Sequence, residues 1–365
     1  MSKTVMKAFI FVSHTMDSSG APTSLKNILS EIRENHDIEA HVVAMRGGSQ
    51  VESFRPLCNS IKILSSSSST GVVSSIVNFL KLIVFLVKHD KATRVLINST
   101  TNLRAMVACK LLGFRSFVYV RESEEMVMEN RLGFLRLYLL RFMTGLICVS
   151  HSTAKWVSKY VTEDKIKILH NGIKLEGSSL DLPRQRIKGE IPVIGIIGRL
   201  DYRKGIDRFY ALVDFLNKHQ TFYQYKIIGD ISDERFCLSN YRGQFRDKTQ
   251  VTMTGLIKDV IPEIAECNVI LMLSRQEALP RVVLEAGSIG VPVLALDIAG
   301  TKEMLPENYK WVLPEKTKIA SLAIQLEELL KEDLNGSVGH GNKKFIEQNF
   351  DRELLVAELI KFIGI

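Results

Sequence analysis

Residues 193–205 read VIGIIGRLDYRKG. A run of Val and Ile over Val193–Ile197 has the length of a buried strand, breaks at Gly198, and gives way to a loop closed by Gly205, after which a helical segment begins. The same strand, loop and helix order recurs in both directions from this stretch. Short apolar runs alternate with helix-length amphipathic segments, the pattern of parallel sheets covered by helices. In the first half the strands are expected at Lys7–Val12, His41–Ala44, Lys62–Leu64, Val95–Ile97, Ser116–Val120, Gly145–Val149 and Lys167–Leu169. In the second half they are expected at Val193–Ile197, Tyr225–Ile228, Gln250–Met253, Val269–Leu273, Val293–Leu296 and Lys310–Val312. Two doubly wound, Rossmann-like α/β domains follow, at 1–170 and 191–350. The polar stretch 171–190, containing GSSLDLPRQRIKGE, is the expected linker, and Asp351–Ile365 forms a final helix.

The chain has 365 residues, 46% hydrophobic and 24% charged, ample for two cores. Its net charge of +8 is unevenly placed. Residues 1–170 hold 22 basic and 13 acidic side chains, a balance of +9, while 171–365 hold 26 and 27, a balance of −1. The first half therefore suits an anionic partner: nucleic acid, a membrane surface or a phosphorylated substrate. No nucleic-acid module or aromatic-basic interleaving accompanies the charge, which argues against nucleic acid. Cys58, Cys109, Cys148, Cys237 and Cys267 are scattered and odd in number, as reduced cytoplasmic thiols would be. The start, MSKTVMKAFIFVSH, reads as a first buried strand rather than a signal peptide, and Ser65–Ser69 as an exposed loop. The longest apolar stretch, Val72–Val87, is shorter than the roughly 20 residues that span a bilayer.

Neither first strand is followed by G-x-G-x-x-G: the loops read SHTMDSSGAP and GRLDYRKG. That argues against a nicotinamide or flavin enzyme. No Walker A sequence, metal-ligand cluster or D-x-D pair occurs, so no metal is expected. What remains is a phosphate cradle. Arg199 and Lys204 stand five apart between a strand, a glycine turn and a helix N-terminus, although a solvated basic loop has the same composition. Farther on, residues 277–286 read EALPRVVLEA. Pro280 suits the first position of a helix, leaving the amides of Arg281–Val283 free to meet an anion. Glu277 then precedes the helix and Glu285 lies on its second turn, placed to approach one ligand at a sugar and a ribose. Taken alone, such a pair is equally a loop acid and a helix-face acid.

In combination, these pieces change the reading. Gly198-Arg199-Leu200 with Lys204-Gly205, the Glu277 and Glu285 pair in EALPRVVLEAGSIGVPVLALDIAG, Lys167-Ile168-Leu169-His170-Asn171-Gly172, Thr254-Gly255 and Ser19-Gly20-Ala21-Pro22 together resemble the retaining GT-B glycosyltransferases of glycosyltransferase family 4. The resemblance covers essentially the full length. It implies two Rossmann-like domains facing a central cleft, with the final helix crossing back to the first domain. It also implies a donor site mostly in the second domain: Arg199 and Lys204 at the diphosphate, Glu277 at the transferred sugar and Glu285 at the ribose. Backbone around Gly198, Gly229 and Leu256 would meet the donor and its base, with Pro280, Arg281 and Val282 along the sugar and phosphates. Gly20, in the first domain, would allow close approach to the diphosphate.

Members of that family commonly carry a first-domain histidine near the reacting sugar. Here the corresponding loops read Asn98-Ser99-Thr100-Thr101-Asn102 and Arg121-Glu122-Ser123-Glu124-Glu125. Asn98, Ser99, Arg121 and Glu122 are candidates to take over its part or to cap helices. His14, after the first strand, is a further acceptor-side candidate or a plain loop residue. The acids of Glu122–Glu129 read as a solvated face. As a helix, Val72–Lys88 puts Ser74, Lys81 and Lys88 within about 40° of one another with Asn78 beside them. It either packs its apolar breadth on the sheet and shows that polar stripe, or lies on anionic lipid. Residues 131–141 are basic and apolar without a clean face.

The expected function is metal-independent, retaining transfer of a sugar from a nucleotide-diphosphate donor to a saccharide acceptor. That acceptor is expected to be lipid-linked and to belong to bacterial surface polysaccharide assembly at the inner leaflet of the cytoplasmic membrane. A soluble transferase with a small-molecule or protein acceptor, and a GT-B protein that binds sugar nucleotides without turnover, are the alternatives.

Overall fold

A computed structural model of the chain describes residues 7–65, 71–129, 131–174, 190–247 and 249–364. Most of the expected linker and the serine run lie outside the described residues. The chain divides into two compact units, Met1–Gly172 with Arg352–Ile365, and Ile173–Asp351.

The first unit holds a seven-stranded parallel sheet in the order β3-β2-β1-β4-β5-β6-β7. Its strands are β1 Lys7–Ser13, β2 Ile38–Ala44, β3 Ser60–Ile63, β4 Arg94–Ile97, β5 Ser116–Val120, β6 Gly145–Cys148 and β7 Ile166–Ile168. The reversal beside β1 is the switch point at which such sheets open a crevice at their carboxyl ends. Phe9–Val12 are buried on both faces, as a central parallel strand requires. The terminal helix Arg352–Ile363 packs on this unit. Glu358 pairs with Lys167 at 2.8 Å, Phe362 stacks edge-on against Phe117, and Arg94 Nε donates to the Ile363 carbonyl at 2.9 Å.

The second unit carries six parallel strands in the order β10-β9-β8-β11-β12-β13. They are β8 Val193–Leu200, β9 Gln224–Ile231, β10 Val251–Met253, β11 Val269–Met272, β12 Val293–Asp297 and β13 Val312–Pro314. The helix Ile206–Lys218 buries Ile206, Phe209, Tyr210, Leu212, Val213 and Leu216 into its core. Every expected strand is present. The main displacement is at β8, which runs on through Gly198, Arg199 and Leu200 where a loop was expected. The reason is pairing: Gly198, Arg199 and Leu200 continue the parallel register opposite Gly229, Asp230 and Ile231 of β9. The loop proper starts at Asp201.

The Val72–Val87 helix does not hide its apolar breadth. Leu82 and Leu86 are buried together with Asn78, whereas Val73, Ile76, Val77, Leu80, Val84 and Val87 are exposed. Polar anchors fix that rotation. Lys81 Nζ donates to the Leu64 carbonyl at 3.2 Å, and Arg104, on the neighbouring helix Leu103–Leu112, bonds Ser75 Oγ. Glu122 also departs from the solvated face expected of it, since it is buried.

Candidate active site

In the second unit, three glycines align at the carboxyl ends of neighbouring strands. Gly198, Gly229 and Gly255 have φ of +134°, +119° and +66°, a region that costs a side-chain-bearing residue heavily. Gly229 faces Gly198 so closely that a Cβ there would lie 2.2 Å from the Gly198 carbonyl oxygen. The Gly229 amide donates to Thr254 Oγ1 at 3.0 Å, and Gly229 bridges to Gly255. This backbone ledge ends at Leu256, which is 75% exposed.

Arg199 leaves the ledge. Its side chain is exposed and has no hydrogen bond or ion pair among the described residues. The loop that follows is tightly drawn. Asp201 Oδ1 accepts from the Lys204 amide at 2.8 Å, and Gly205, at φ +77°, sits so near Leu273 that a Cβ would lie 2.2 Å from its carbonyl oxygen. Because β8 and β11 are neighbours, this loop meets residues 273–277. Lys204 Nζ pairs there with Glu277 Oε1, which also accepts from Ser274 Oγ at 3.0 Å. Sequence reading assigned Lys204 and Glu277 to different parts of a donor; the structure brings them into direct contact.

Arg275 holds the two loops together and was missed in the sequence. Its guanidinium forks onto Asp207 at 2.8 and 2.7 Å and lies 3.7 Å over the Tyr202 ring. Arg208 adds a donor to the Leu273 carbonyl at 3.0 Å. The signal was present as an arginine two positions before Glu277, but its partner lies 68 residues away.

The helix Arg281–Ser288 begins one residue later than expected, with Pro280 at its N-cap in extended conformation, φ −75° and ψ 102°. The Val283 amide donates to the Pro280 carbonyl at 3.1 Å and so is not free, which leaves the amides of Arg281 and Val282 at the open end. The reason is local: an N-cap carbonyl takes the first intrahelical bond. Arg281 and Glu285, one turn apart, form an ion pair of 2.7 Å, so the Glu285 carboxylate is already oriented from one side.

In the first unit, the candidates gather at the carboxyl ends of β1, β4 and β5, largely as a buried scaffold. Glu122 accepts from Ser99 Oγ, from Thr100 Oγ1 at 2.8 Å and amide at 3.3 Å, and from the Arg121 amide at 3.1 Å. This carboxylate holds Ser99 at φ +144°, a conformation rare outside glycine. Asn98 donates to the Ala21 carbonyl and accepts from Arg121 Nε, each at 2.9 Å, while Arg121 stacks 3.7 Å over Tyr119. Asn98 and Ser99 are fully buried, and the Asn98 bond ties the loop after β4 to Ala21. Gly20 opens the helix Gly20–Asn35, and a Cβ on it would meet nothing within 4 Å.

His14 lies beside this scaffold with Nδ1 buried and without a hydrogen-bond partner among the described residues. Burial pushes its pKa below the ordinary value, and Arg46 adds to this, while Glu122 and Asp17 oppose the shift. The neutral imidazole is thus favoured in the folded chain. Unfolded histidine takes up a proton near its ordinary pKa, so this group costs stability as pH falls below about 6.5. Acidification from about pH 7.5 to about 5.5 is expected to lower the melting temperature, and less so in His14→Gln. Equal pH slopes in the two proteins would remove His14 from that account.

A family model described as glycosyl transferases group 1 matches residues 180–356, nearly all of the second unit and the first residues of the terminal helix. The match to group 1 glycosyl transferases thus falls mainly on the second unit. The chain is 25% identical over 231 residues to the capsular polysaccharide biosynthesis glycosyltransferase CapM of Staphylococcus aureus, covering 59% of this chain and 60% of CapM. It is 22% identical to the Escherichia coli UDP-Gal:alpha-D-GlcNAc-diphosphoundecaprenol alpha-1,3-galactosyltransferase, covering 73% and 70%. It spans less than two thirds of the length of most of the curated relatives it matches. Among solved structures, Anabaena HepE in complex with UDP-glucose superposes with a TM-score of 0.80 at 16% identity, covering 97% of this chain and 99% of HepE. The fold is thus that of GT-B glycosyltransferases, two parallel-sheet Rossmann-like domains. The chain is related to enzymes of bacterial capsule and polysaccharide biosynthesis. In the second unit, the glycine ledge, Arg199, the Lys204 and Glu277 pair and the Arg281–Ser288 helix all lie at or follow the carboxyl ends of its strands.

Proposed function

We propose that the chain transfers a sugar, with retention of anomeric configuration and without a metal, from a nucleotide-diphosphate donor to a lipid-linked saccharide during bacterial surface polysaccharide assembly. The location proposed is the cytoplasmic face of the inner membrane. The carrying observation is the exposed Arg199 near the end of β8, its side chain without a partner among the described residues, on the same domain as Lys204, Glu277 and the open N-terminus of the Arg281–Ser288 helix. As the bond to the anomeric carbon breaks, the leaving diphosphate gathers negative charge. Arg199, Lys204 and the amides of Arg281 and Val282 are preorganised donors for it, doing what a bound cation does elsewhere. Glu277 stays near the transferred sugar as the carboxylate partner of Lys204. Glu285, braced by Arg281, takes the ribose hydroxyls. HepE binds UDP-glucose and the E. coli relative is named for UDP-galactose and a diphosphoundecaprenol acceptor, which supports a uridine donor and a lipid diphosphate acceptor here.

A thermal-shift screen of nucleotide sugars after chelation tests the reading. A true donor at about 100 times its Kd stabilises by about 2.7 kcal/mol, a rise of several degrees. The donor that responds is then offered with a lipid-diphosphate saccharide, and the anomeric configuration of the product is read by NMR. An inverted product overturns retention, and turnover that appears only on adding a divalent ion overturns metal independence.

A further inference from the structure

The first unit carries an apolar surface that the transfer chemistry leaves unused. On the Val72–Val87 helix, Val73, Ile76, Val77, Leu80, Val84 and Val87 are exposed, with Val73 at 74%. At 100° per residue they fall within an arc of about 100°. Lys81 and Lys88 flank that arc on one side, and Leu82 and Leu86 anchor the opposite face. The Leu103–Leu112 helix packs beside it and contributes exposed Leu111. Beyond lies the Gly133–Leu140 helix, whose Phe134 is 76% exposed and whose outer side continues through Leu135, Tyr138 and Phe142.

Charge decides the occupant. None of the three helices contains an aspartate or glutamate, while Lys81, Arg104, Lys110 and Arg136 lie on them and Lys88, Arg131 and Arg141 at their ends. Lys110 is held 3.1 Å from the centroid of the Phe142 ring, so cation and apolar surface are interleaved. Asp90 and Glu129 stand just outside the helices. A second copy docked by two-fold symmetry would bring one basic rim against another, which is unfavourable. A membrane of anionic lipid presents apolar chains to the arc and phosphates to the lysines and arginines. At 16 residues the Val72–Val87 helix is too short to span a bilayer, and among the described residues no helix is long and apolar enough to do so.

We propose that this face, centred on the exposed stripe of the Val72–Val87 helix and extended by Phe134 and Leu135, docks the chain on an anionic bilayer by shallow insertion of the apolar arc with its cations at the headgroups. The proposal deepens the lipid-linked acceptor reading and rests on it for its purpose, while the surface is argued from exposure and charge alone.

Co-sedimentation of the full chain with phosphatidylcholine vesicles, and with vesicles also containing phosphatidylglycerol, provides the test, without donor or acceptor. Binding is expected only to the anionic vesicles and is expected to weaken with salt. Leu80→Glu with Val84→Glu, at exposed positions, is expected to lower vesicle affinity by about tenfold or more with an unchanged melting temperature. Lys88→Glu with Arg131→Glu should do the same without touching the apolar arc. Absence of wild-type binding to anionic vesicles overturns the proposal, as does undiminished binding of the Leu80/Val84 variant. Self-association in sedimentation velocity that the Leu80/Val84 variant abolishes would assign the face to a second copy instead. The nucleotide-sugar thermal shift of the same proteins is read separately: its absence overturns the transferase reading while leaving vesicle binding to stand or fall by itself.

Discussion

Replacing Arg199 by alanine is expected to lower kcat by about 10²- to 10³-fold, the loss typical of removing one preorganised group that stabilises developing negative charge. The fold should not notice. The side chain is exposed and has no partner among the described residues, while its backbone stays paired with Asp230 of β9. Arg199→Lys is expected to restore part of the rate, because a point charge replaces a planar fork. Lys204→Ala should behave differently: it also strips Glu277 of its cation, leaving Ser274 as that oxygen's donor. Rates and melting temperatures of the Arg199 and Lys204 variants check this. An Arg199→Ala enzyme within about threefold of wild type would remove Arg199 from the charge-stabilising role.

The second large effect is on stability. Gly229→Ala places a Cβ 2.2 Å from the Gly198 carbonyl oxygen at φ +119°, so backbone must move and β8 and β9 must part at their carboxyl ends. Strain and overpacking together make a loss of about 3 kcal/mol or more the expected outcome, a drop in melting temperature of roughly 10 °C for a unit of this size. Thermal unfolding monitored by circular dichroism measures it. A shift below about 2 °C would show that the ledge can relax, and the argument for glycine there would fail.

The strands were legible because parallel strands covered on both faces must be apolar on both, which leaves short Val- and Ile-rich runs that no helix or loop needs. The lengths went astray where pairing, rather than composition, extends a strand: Gly198 reads as a turn, yet Gly229 across from it lets the ladder continue. Arg199, Lys204, Glu277 and Glu285 stood out by residue type and spacing. Their partnerships did not. Lys204 meets Glu277 across 73 positions and Arg275 meets Asp207 across 68, distances bridged only because β8 and β11 are neighbours in the sheet. Likewise, an acid-rich run looked solvated, but Glu122 turns inward to four donors that the loop after β4 and the Arg121 amide supply.

The sequence by itself determined the two parallel α/β units and the basic bias of the first half and singled out Arg199, Lys204, Glu277 and Glu285 as candidates, since each follows from local periodicity, motif spacing or counting. The tertiary structure decided which charges pair, which first-unit polar groups are scaffold, and which face of the Val72–Val87 helix meets solvent. Those depend on strand order and on helix rotation, and rotation is set by contacts such as Lys81 with Leu64 and Arg104 with Ser75 that link segments far apart in the chain.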